Sequence, residues 1–576
     1  MILDLNQNIE MAKSYTADFE TTTDKDDLRV WAWGICNIND FNDFQYDNNI
    51  ESFIKWLELH YNANIYFHNL RLDGEFIISW LLKNGFKYND LLVSKTFNCI
   101  IAGTGQFYKI DICFYKRGKY KKIVHLYDSL KKLPFPVKKI AEAFELPILK
   151  GEIDYKAKRE KGHILTNEEL SYLRNDVEIM ARALKIQLDE GLTHMTIGSD
   201  ALNSYKKILT KKLFDVYFPK LDIEVDKDIR RAYRGGYTYT NKIFQAKDVG
   251  EGLVYDVNSM YPACMYDELL PYGMPIFFDG CYVDDPDYPL YIQKIKADLV
   301  IKKEHIPTIQ CKGNMYFNST EYIEATNGML TMYVTNIDLE IIFEQYDVLD
   351  IEYINGYKFK ATKGLFCKYI DKYMEMKKNN TGAKRQLAKL MLNNLYGKFA
   401  SNPKTQAKIP YLNEENKVEY KTITAEDKEP VYTPIGIFVT SYARSRIQRT
   451  AQSVYHRFCY CDTDSIHIIN KDIPDIDIDD KELGKWALEG EFKRARFLRA
   501  KTYIEEYPDG TLNVKCAGLP DNLKELVNFD NFKVGLTLHG KLLPKRYDGG
   551  VILEETDFTI NWSYVIIKMS YLIDLQ

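Results

Sequence analysis

Tyr460-Cys-Asp-Thr-Asp-Ser465 sets two carboxylates one residue apart. Where a β-hairpin turns, Asp462 and Asp464 would present both groups to one spot. Mg²⁺ working on phosphates needs such hard oxygen ligands. Alone, Asp-Thr-Asp in a turn is more often local hydrogen bonding to the backbone than a metal site. A further acid shifts that balance. Gly252-Leu-Val-Tyr255 is a short apolar run that reads as a buried strand, with Asp256 at its end and Tyr261 just beyond. Pro262 is expected to stop the strand. Nucleotidyl transfer by two metals needs carboxylates that bridge ions about 3.5–4 Å apart. Asp256 and Asp464 are the candidates for that bridge, with Asp462 in support.

Cations come from a run that reads as a helix, Ala383 to Tyr396, ended by Gly397. Arg385, Lys389 and Asn393 recur every four residues and share one face. Leu387, Met391 and Leu395 recur at the same spacing on the opposite face, which can meet a core. A solvated face is the usual fate of such cations. Beside the acids, and with Lys377 upstream, they read as a triphosphate-binding face, since Arg and Lys stabilise charge on a transferring phosphoryl group.

A second acid set opens the chain. Asp18 and Glu20 lie in Ser14 to Thr21, which reads as a strand, so both carboxylates point to one side. Asp73 follows in His68-Asn-Leu-Arg-Leu-Asp-Gly-Glu-Phe76, and a helix is expected from Phe76 to Lys83, broken by Gly85. Thr166-Asn-Glu-Glu169 is a capping box that starts another helix. Leu170, Leu173, Val177, Met180 and Leu184 form its apolar stripe. Tyr172 and Asp176, four apart on the neighbouring face, aim together.

The elements that must hold these groups span 576 residues, enough for several domains. Aromatics make up 14%, too many for a disordered chain. With a net charge of −5, a nucleic-acid partner cannot be read from bulk charge and must use local patches. Lys116 to Lys122 is one such patch. Lys493 to Tyr503 is another, with aromatics between its cations. The acidic stretch Asp472 to Glu491 reads as a solvated loop leading into a helix. No Cys-x-x-Cys suggests a zinc ribbon, and scattered thiols suit a reducing cytosol. No apolar run reaches membrane-spanning length.

Together these segments resemble the polymerase and exonuclease motifs of family B DNA polymerases, most nearly the protein-primed enzymes of phi-twenty-nine-like bacteriophages. The resemblance covers about residues 13 to 560. It includes Tyr127-Asp-Ser-Leu-Lys-Lys-Leu-Pro-Phe-Pro136 and Leu387-Ala-Lys-Leu-Met-Leu-Asn-Asn-Leu-Tyr-Gly-Lys-Phe-Ala-Ser401. It implies α/β and α+β domains: a ribonuclease-H-like 3′–5′ exonuclease domain (1–196) and a right-hand polymerase. The palm would be 197–267 and 433–516, the fingers 365–400 and the thumb 517–560. An insertion at 268–364 would dock a terminal protein. Another at 401–432 would close a ring around DNA, favouring strand displacement and processivity. Lys541, Lys545 and Arg546 would lie on a thumb hairpin along the duplex. The tail 561–576 has no assigned role.

The resemblance also implies site roles. Asp256, Asp462 and Asp464, with the backbone of Val257, would hold two Mg²⁺ ions, or Mn²⁺. Asp18, Glu20 and Asp176, with Glu152, would hold two more. Asp73 would assist there, Lys150 would contact the scissile phosphate and Tyr172 would orient water. Tyr261 would exclude a 2′-hydroxyl, and Tyr396 would help form the nascent-pair pocket with Lys377, Arg385 and Lys389 nearby. DNA would meet His68, Asn69, Phe76, Ser129, Leu130, Tyr233, Gly235, Gly236, Ser259, Asn393, Gly397, Thr440, Arg444, Lys501 and Tyr503. Leu72 departs from the aromatic often found at its position, which leaves an apolar contact in place of stacking. Glu489 stands either near the metals or on the surface. Implied partners are template-primer DNA, dNTPs, a terminal protein and a single-stranded-DNA-binding protein. The chain would act as a monomer or a heterodimer with terminal protein in the host bacterial cytoplasm. A conventional nucleic-acid-primed family B polymerase, and an exonuclease whose polymerase half only binds DNA, are the alternatives.

Overall fold

The computed structural model describes residues 13–155, 157–310, 322–403, 405–424 and 430–561. The tail therefore lies outside the described residues, save Asn561.

The amino-terminal domain is built on an eight-stranded mixed sheet. Its order is Asp40–Asp47, Val30–Asn37, Ser14–Thr21, Asn64–Phe67, Tyr120–Asp128, Phe107–Arg117, Thr96–Ile101 and Lys87–Tyr88. Ser14–Thr21 pairs parallel to Asn64–Phe67, which pairs parallel to Tyr120–Asp128. The capping box forms as expected, and the helix it starts runs Asn167–Asp189. Leu173, Val177, Met180 and Leu184 are buried along it. The helix expected from Phe76 instead begins at Leu70 and runs to Lys83. Asp128 accounts for the earlier start: its Oδ1 accepts the Asn69 N–H at 3.0 Å and satisfies an otherwise orphaned donor.

The next sheet is five-stranded and antiparallel, ordered Trp486–Phe492, Gly252–Val257, Ser465–Ile469, Phe458–Asp462 and Thr238–Thr240. A buried helix, Thr433–Ser453, lies against its last hairpin and against the helix Gly382–Phe399. Two sequence expectations change here. Pro262 does not stop the strand, which ends at Val257; it sits in the first turn of the helix Met260–Asp267, where a proline's missing N–H costs nothing. Gly397 does not end its helix, which continues to Phe399 and is capped at Ala400. Packing of Leu395 and Phe399 into the core outweighs the glycine's modest helix penalty. The acidic stretch leads into the strand Trp486–Phe492 and not into a helix, because that strand pairs along the whole Asp256 strand.

Between these halves, residues 270–362 add a four-stranded antiparallel sheet and the helix Asn336–Gln345. A further four-stranded sheet is ordered Asp248–Val249, Arg494–Arg499, Thr502–Glu506 and Leu512–Cys516, and two hairpins stand apart from it: Gln406–Leu412 with Val418–Thr424, and Thr537–Tyr547 with Gly550–Thr559. No helix among the described residues is long and apolar enough to cross a membrane.

Candidate active sites

Asp256 stands next to the end of its strand, opposite Ser465; Asp462, ending the neighbouring hairpin strand, faces the same Ser465. The turn between Asp462 and Asp464 is tight. Thr463 adopts φ 62°, and its N–H donates to the Tyr237 carbonyl at 2.7 Å. Val257 N–H donates to the Asp464 carbonyl at 2.8 Å, locking the two strand ends together. Thr238 Oγ1 donates to Asp462 Oδ1 at 2.9 Å, and Lys501 Nζ lies 3.8 Å from the same oxygen. Burial, then the charge of Asp464, pushes Asp256 up to about 7. Burial, then the charge of Asp462, pushes Asp464 up to about 6. Glu489 raises both. It occupies an extra position in its strand, where the register slips between Val254 and Tyr255, and such bulges re-aim side chains.

Cations face these acids. Arg385, Lys389, Asn393 and Gly397 are exposed along one face of their helix, while Leu387, Met391 and Leu395 are buried on the other. Arg385 Nη1 donates to the Lys377 carbonyl at 3.2 Å, and Lys377 Nζ lies 3.4 Å from Ser259 Oγ. Burial, then the charges of Lys389 and Arg385, lowers Lys377. Lys389 and Lys377 in turn pull Asp256 down. Tyr261 and Tyr396 pack with ring centroids 4.0 Å apart. Gly236 sits beneath this corner: a Cβ there would fall 2.7 Å from Thr463 Oγ1 and 3.0 Å from Tyr261 Oη. A Cβ on Gly235 would meet nothing within 4 Å. Tyr233 is half-buried beside them. Lys501 N–H donates to Tyr460 Oη at 2.8 Å, and Tyr503 packs on the Tyr460 ring at 5.0 Å.

Two residues expected at DNA are withdrawn from it. Thr440 is fully buried and bonds only carbonyls of its own helix, Gly436 and Ile437. Arg444 is also buried. It donates to both Asp338 oxygens at 2.7 Å, to Ser441 Oγ, and to the carbonyls of Arg234 and Gly235 at 2.8 and 3.0 Å. Its fork is spent inside the protein, where it holds the Tyr233–Gly236 segment from behind.

The amino-terminal acids converge differently. Asn64–Phe67 pairs with its neighbour only as far as Ala17, so Asp18 and Glu20 project beyond that strand's end. Asp73 arrives from the first turn of the helix Leu70–Lys83, and Asp176 from the long capped helix. Burial, then Asp176, pushes Asp18 up to about 7. Glu20 and Asp73 are raised by burial and then by Asp18. Burial also raises Asp176, against the pull of Lys150, whose ammonium is paired with Asp176 Oδ2. Tyr172 Oη lies 2.6 Å from Tyr155 Oη, a partner the sequence reading passed over. Glu152 is exposed and is not among the charges acting on these acids.

Around them, His68 has both ring nitrogens engaged, by Ser129 Oγ at 3.0 Å and the Phe135 carbonyl at 2.8 Å. Ser129 is fully buried, and Phe76 is 3% exposed in the domain core, so neither offers a side chain to a primer end. Phe76 stands on the helix's inner face, the Asp73 carboxylate one turn before it. Asn69 and Leu130 remain at the surface of the cleft, held by Asp128 Oδ1 at 3.0 Å from each N–H. Leu72 packs at the edge of the same core. Asp128 was missed because an Asp before a 3₁₀ turn looks like an ordinary cap; only the fold brings it to Asn69.

Both acid sets suit a divalent cation. Asp176 Oδ1 is buried with no hydrogen-bond partner. Hard carboxylate oxygens are the donors Mg²⁺ prefers. Among the described residues, no three His, Cys, Asp or Glu side chains are close enough together to hold an ion as they stand.

Comparison with known proteins agrees with this geometry. A family model described as DNA polymerase type B, organellar and viral, matches residues 59–483. The DNA polymerase of Bacillus phage phi29 is 48% identical over 569 residues, covering 95% of this chain and 99% of that protein. The DNA polymerase of Streptococcus phage Cp-1 is 34% identical over 574 residues, covering 95% and 98%. Phi29 DNA polymerase solved with primer-template DNA and incoming nucleotide substrates superposes with a TM-score of 0.92 at 48% identity, covering 96% of this chain and 100% of that one.

Proposed function

The chain belongs to the organellar and viral type B DNA polymerases, as a DNA-directed DNA polymerase of the phi29 type, and we propose that it replicates phage DNA from a protein primer, displaces the strand ahead and proofreads. The observation that carries the reading is the convergence of Asp256 and Asp464 on one strand-end corner, faced by Lys377 and Lys389. The domains are assigned as the resemblance implies, with the nuclease at 1–196 and the two insertions at 268–364 and 401–432.

Asp256, Asp464 and the Val257 carbonyl, with Asp462 in support, would hold two Mg²⁺ or Mn²⁺ ions. Bound there, the metals supply charge for the attacking hydroxyl and the leaving pyrophosphate. The protein's own part is positioning. Lys377, Arg385 and Lys389 receive the triphosphate. Tyr261 lies under the sugar against Tyr396, leaving no room for a 2′-hydroxyl. Lys501 and Tyr503 steady the primer strand, and Gly235 allows the template backbone close. In the nuclease site, Asp18, Glu20 and Asp176 would hold the metals. Lys150 must leave Asp176 to meet the scissile phosphate, and Tyr172, braced by Tyr155, orients the attacking water. A single-stranded-DNA-binding protein is the expected helper, and the host bacterial cytoplasm the place of action.

Phi29 polymerase has been solved with primer-template DNA and with single-stranded DNA, which supports the same substrates for this chain. The test supplies the cognate terminal protein, Mg²⁺ and labelled dNTP. Label should move to the terminal protein on a denaturing gel, and Asp464→Asn should stop it while leaving degradation of single-stranded DNA. An unlabelled terminal protein beside normal extension of oligonucleotides would instead favour a nucleic-acid-primed enzyme.

A further inference from the structure

Glu75 lies two residues past Asp73 on the helix Leu70–Lys83 and takes no part in the nuclease site; it is 3% exposed, and its two oxygens serve two distant parts of the chain. Oε2 accepts from Tyr420 Oη at 2.8 Å, on the hairpin Gln406–Leu412/Val418–Thr424. Oε1 accepts from Arg546 Nε at 2.7 Å, on the hairpin Thr537–Tyr547/Gly550–Thr559. The Arg546 guanidinium also sits over the Tyr420 ring, 4.4 Å from its centroid. Both hairpins are rooted in the polymerase half, and both rest on the nuclease domain at the helix Leu70–Lys83. Each has a separate seat nearby. Gly103 N–H donates to the Gln406 carbonyl at 2.7 Å, and Lys83 pairs with Asp548.

The two hairpins share no strand pairing with each other; the first is bridged instead to the nuclease domain, Ala407 against Ala102. Glu75 and the cation-on-ring contact tie one to the other. The nuclease domain is already joined to the polymerase half elsewhere. There, buried Lys132 donates to Asp200 at 2.7 Å and to the Leu192 and His194 carbonyls. The nuclease domain thus meets the polymerase half at two separate places, at Lys132 and at Glu75.

We propose that Glu75 is a positioning residue for replication: with Tyr420 and Arg546 it latches the two hairpins to the nuclease domain, and the latch sets how long the enzyme stays on its template. This rests on reading the 401–432 segment as closing a ring around DNA. A carboxylate suits the role because one group satisfies a phenol and a guanidinium together. Removing it leaves Arg546 and Tyr420 without their shared acceptor, so the hairpins separate while both active sites stay whole.

The test measures product length in a single binding event, with excess unlabelled DNA as a trap, beside the rate of first-nucleotide addition. Glu75→Gln and Tyr420→Phe should each shorten the product several-fold and leave the first addition at the wild-type rate, and Arg546→Gln should shorten it by a similar factor. Glu75→Gln combined with Arg546→Gln should be little worse than either alone, because both break one contact. Additive shortening would mean that Arg546 acts on DNA directly, and would overturn the latch. A general structural defect would slow first addition too, and would overturn it equally. Deleting 404–429 separates the two levels. If the deletion shortens products and the point variants do not, the latch fails while the ring reading stands. If neither does, the ring reading itself fails. Should Glu75→Gln not fold, Tyr420→Phe and Arg546→Gln carry the same cycle.

Discussion

Gly236→Ala places one methyl group at the corner where the catalytic hairpin, Tyr261 and the Tyr233–Gly236 segment meet. Its Cβ would lie 2.7 and 2.8 Å from Thr463 Oγ1 and Cγ2, and 3.0 Å from Tyr261 Oη. Such approaches cannot stand, so something must shift by several tenths of an ångström. Thr463 has little freedom to give way: its φ is 62°, its N–H is bonded to Tyr237, and it is flanked by Asp462 and Asp464. Arg444 holds the other side by gripping the Arg234 and Gly235 carbonyls. Overpacking of this kind costs about 1–3 kcal/mol of stability. Its effect on chemistry should be larger, since misplacing a reacting group by about 1 Å can cost on the order of 10²-fold. Single-turnover addition should therefore slow by roughly that factor, with thermal stability modestly reduced and degradation of single-stranded DNA unchanged. Gly235→Ala is the control, because its Cβ would meet nothing. It should leave the free protein's stability unaltered and show itself only in DNA binding. A wild-type addition rate in Gly236→Ala would refute the claim that this corner is rigid.

Asp18→Ala with Asp73→Ala should leave extension intact while 3′ mismatches persist; undiminished mismatch removal would sink the nuclease assignment. Arg385→Ala should weaken apparent dNTP affinity more than duplex affinity, by about 1.5–3 kcal/mol, the worth of one hydrogen bond to a charged group; unchanged dNTP affinity would return Arg385 to a solvated face. Arg444→Ala should destabilise the fold, by less than the roughly 3–5 kcal/mol of a fully buried pair, because it takes the guanidinium from an Asp338 side chain that is only 14% exposed. Burial works against the Asp338 carboxylate, but Arg444 outweighs it and holds the group below its usual value. The pair's contribution is thus full above the unfolded carboxylate pKa of about 3.9 and fades as pH falls through the folded value. Thermal melts of the two proteins should differ at neutral pH and converge in acid.

The chemistry was legible wherever spacing alone decides direction. Asp18 and Glu20 on a strand, Tyr172 and Asp176 on a helix, and the opposed faces of Arg385 and Leu387 all follow from period two or period four. What failed was exposure. Arg444 and Thr440 looked like surface polar residues, but their helix is packed on several sides, by Gly382–Phe399, by Met260–Asp267 and by the helix that carries Asp338. Phe76 and Ser129 failed likewise, because a core is made of long-range neighbours no local pattern names. Helix ends failed where tertiary bonds override local breakers, as Asp128 does at Asn69 and the core does at Gly397. Glu489 required a bulge, which has no sequence signature of its own.

The Asp256 strand sits inside its sheet, yet both neighbours, Ser465–Ile469 and Trp486–Phe492, lie about 200 residues further along the chain. At about 5–20 residues per second of synthesis, that is on the order of 10–40 s during which the strand has no partner. Gly-Leu-Val-Tyr is an apolar segment with two bare edges throughout that wait, the kind of template on which nascent chains aggregate. The nuclease domain, contiguous and finished first, is free to fold meanwhile. Yield from rapid expression should therefore be limited by polymerase-half misassembly, and slower elongation or a holdase that shields strand edges should raise it.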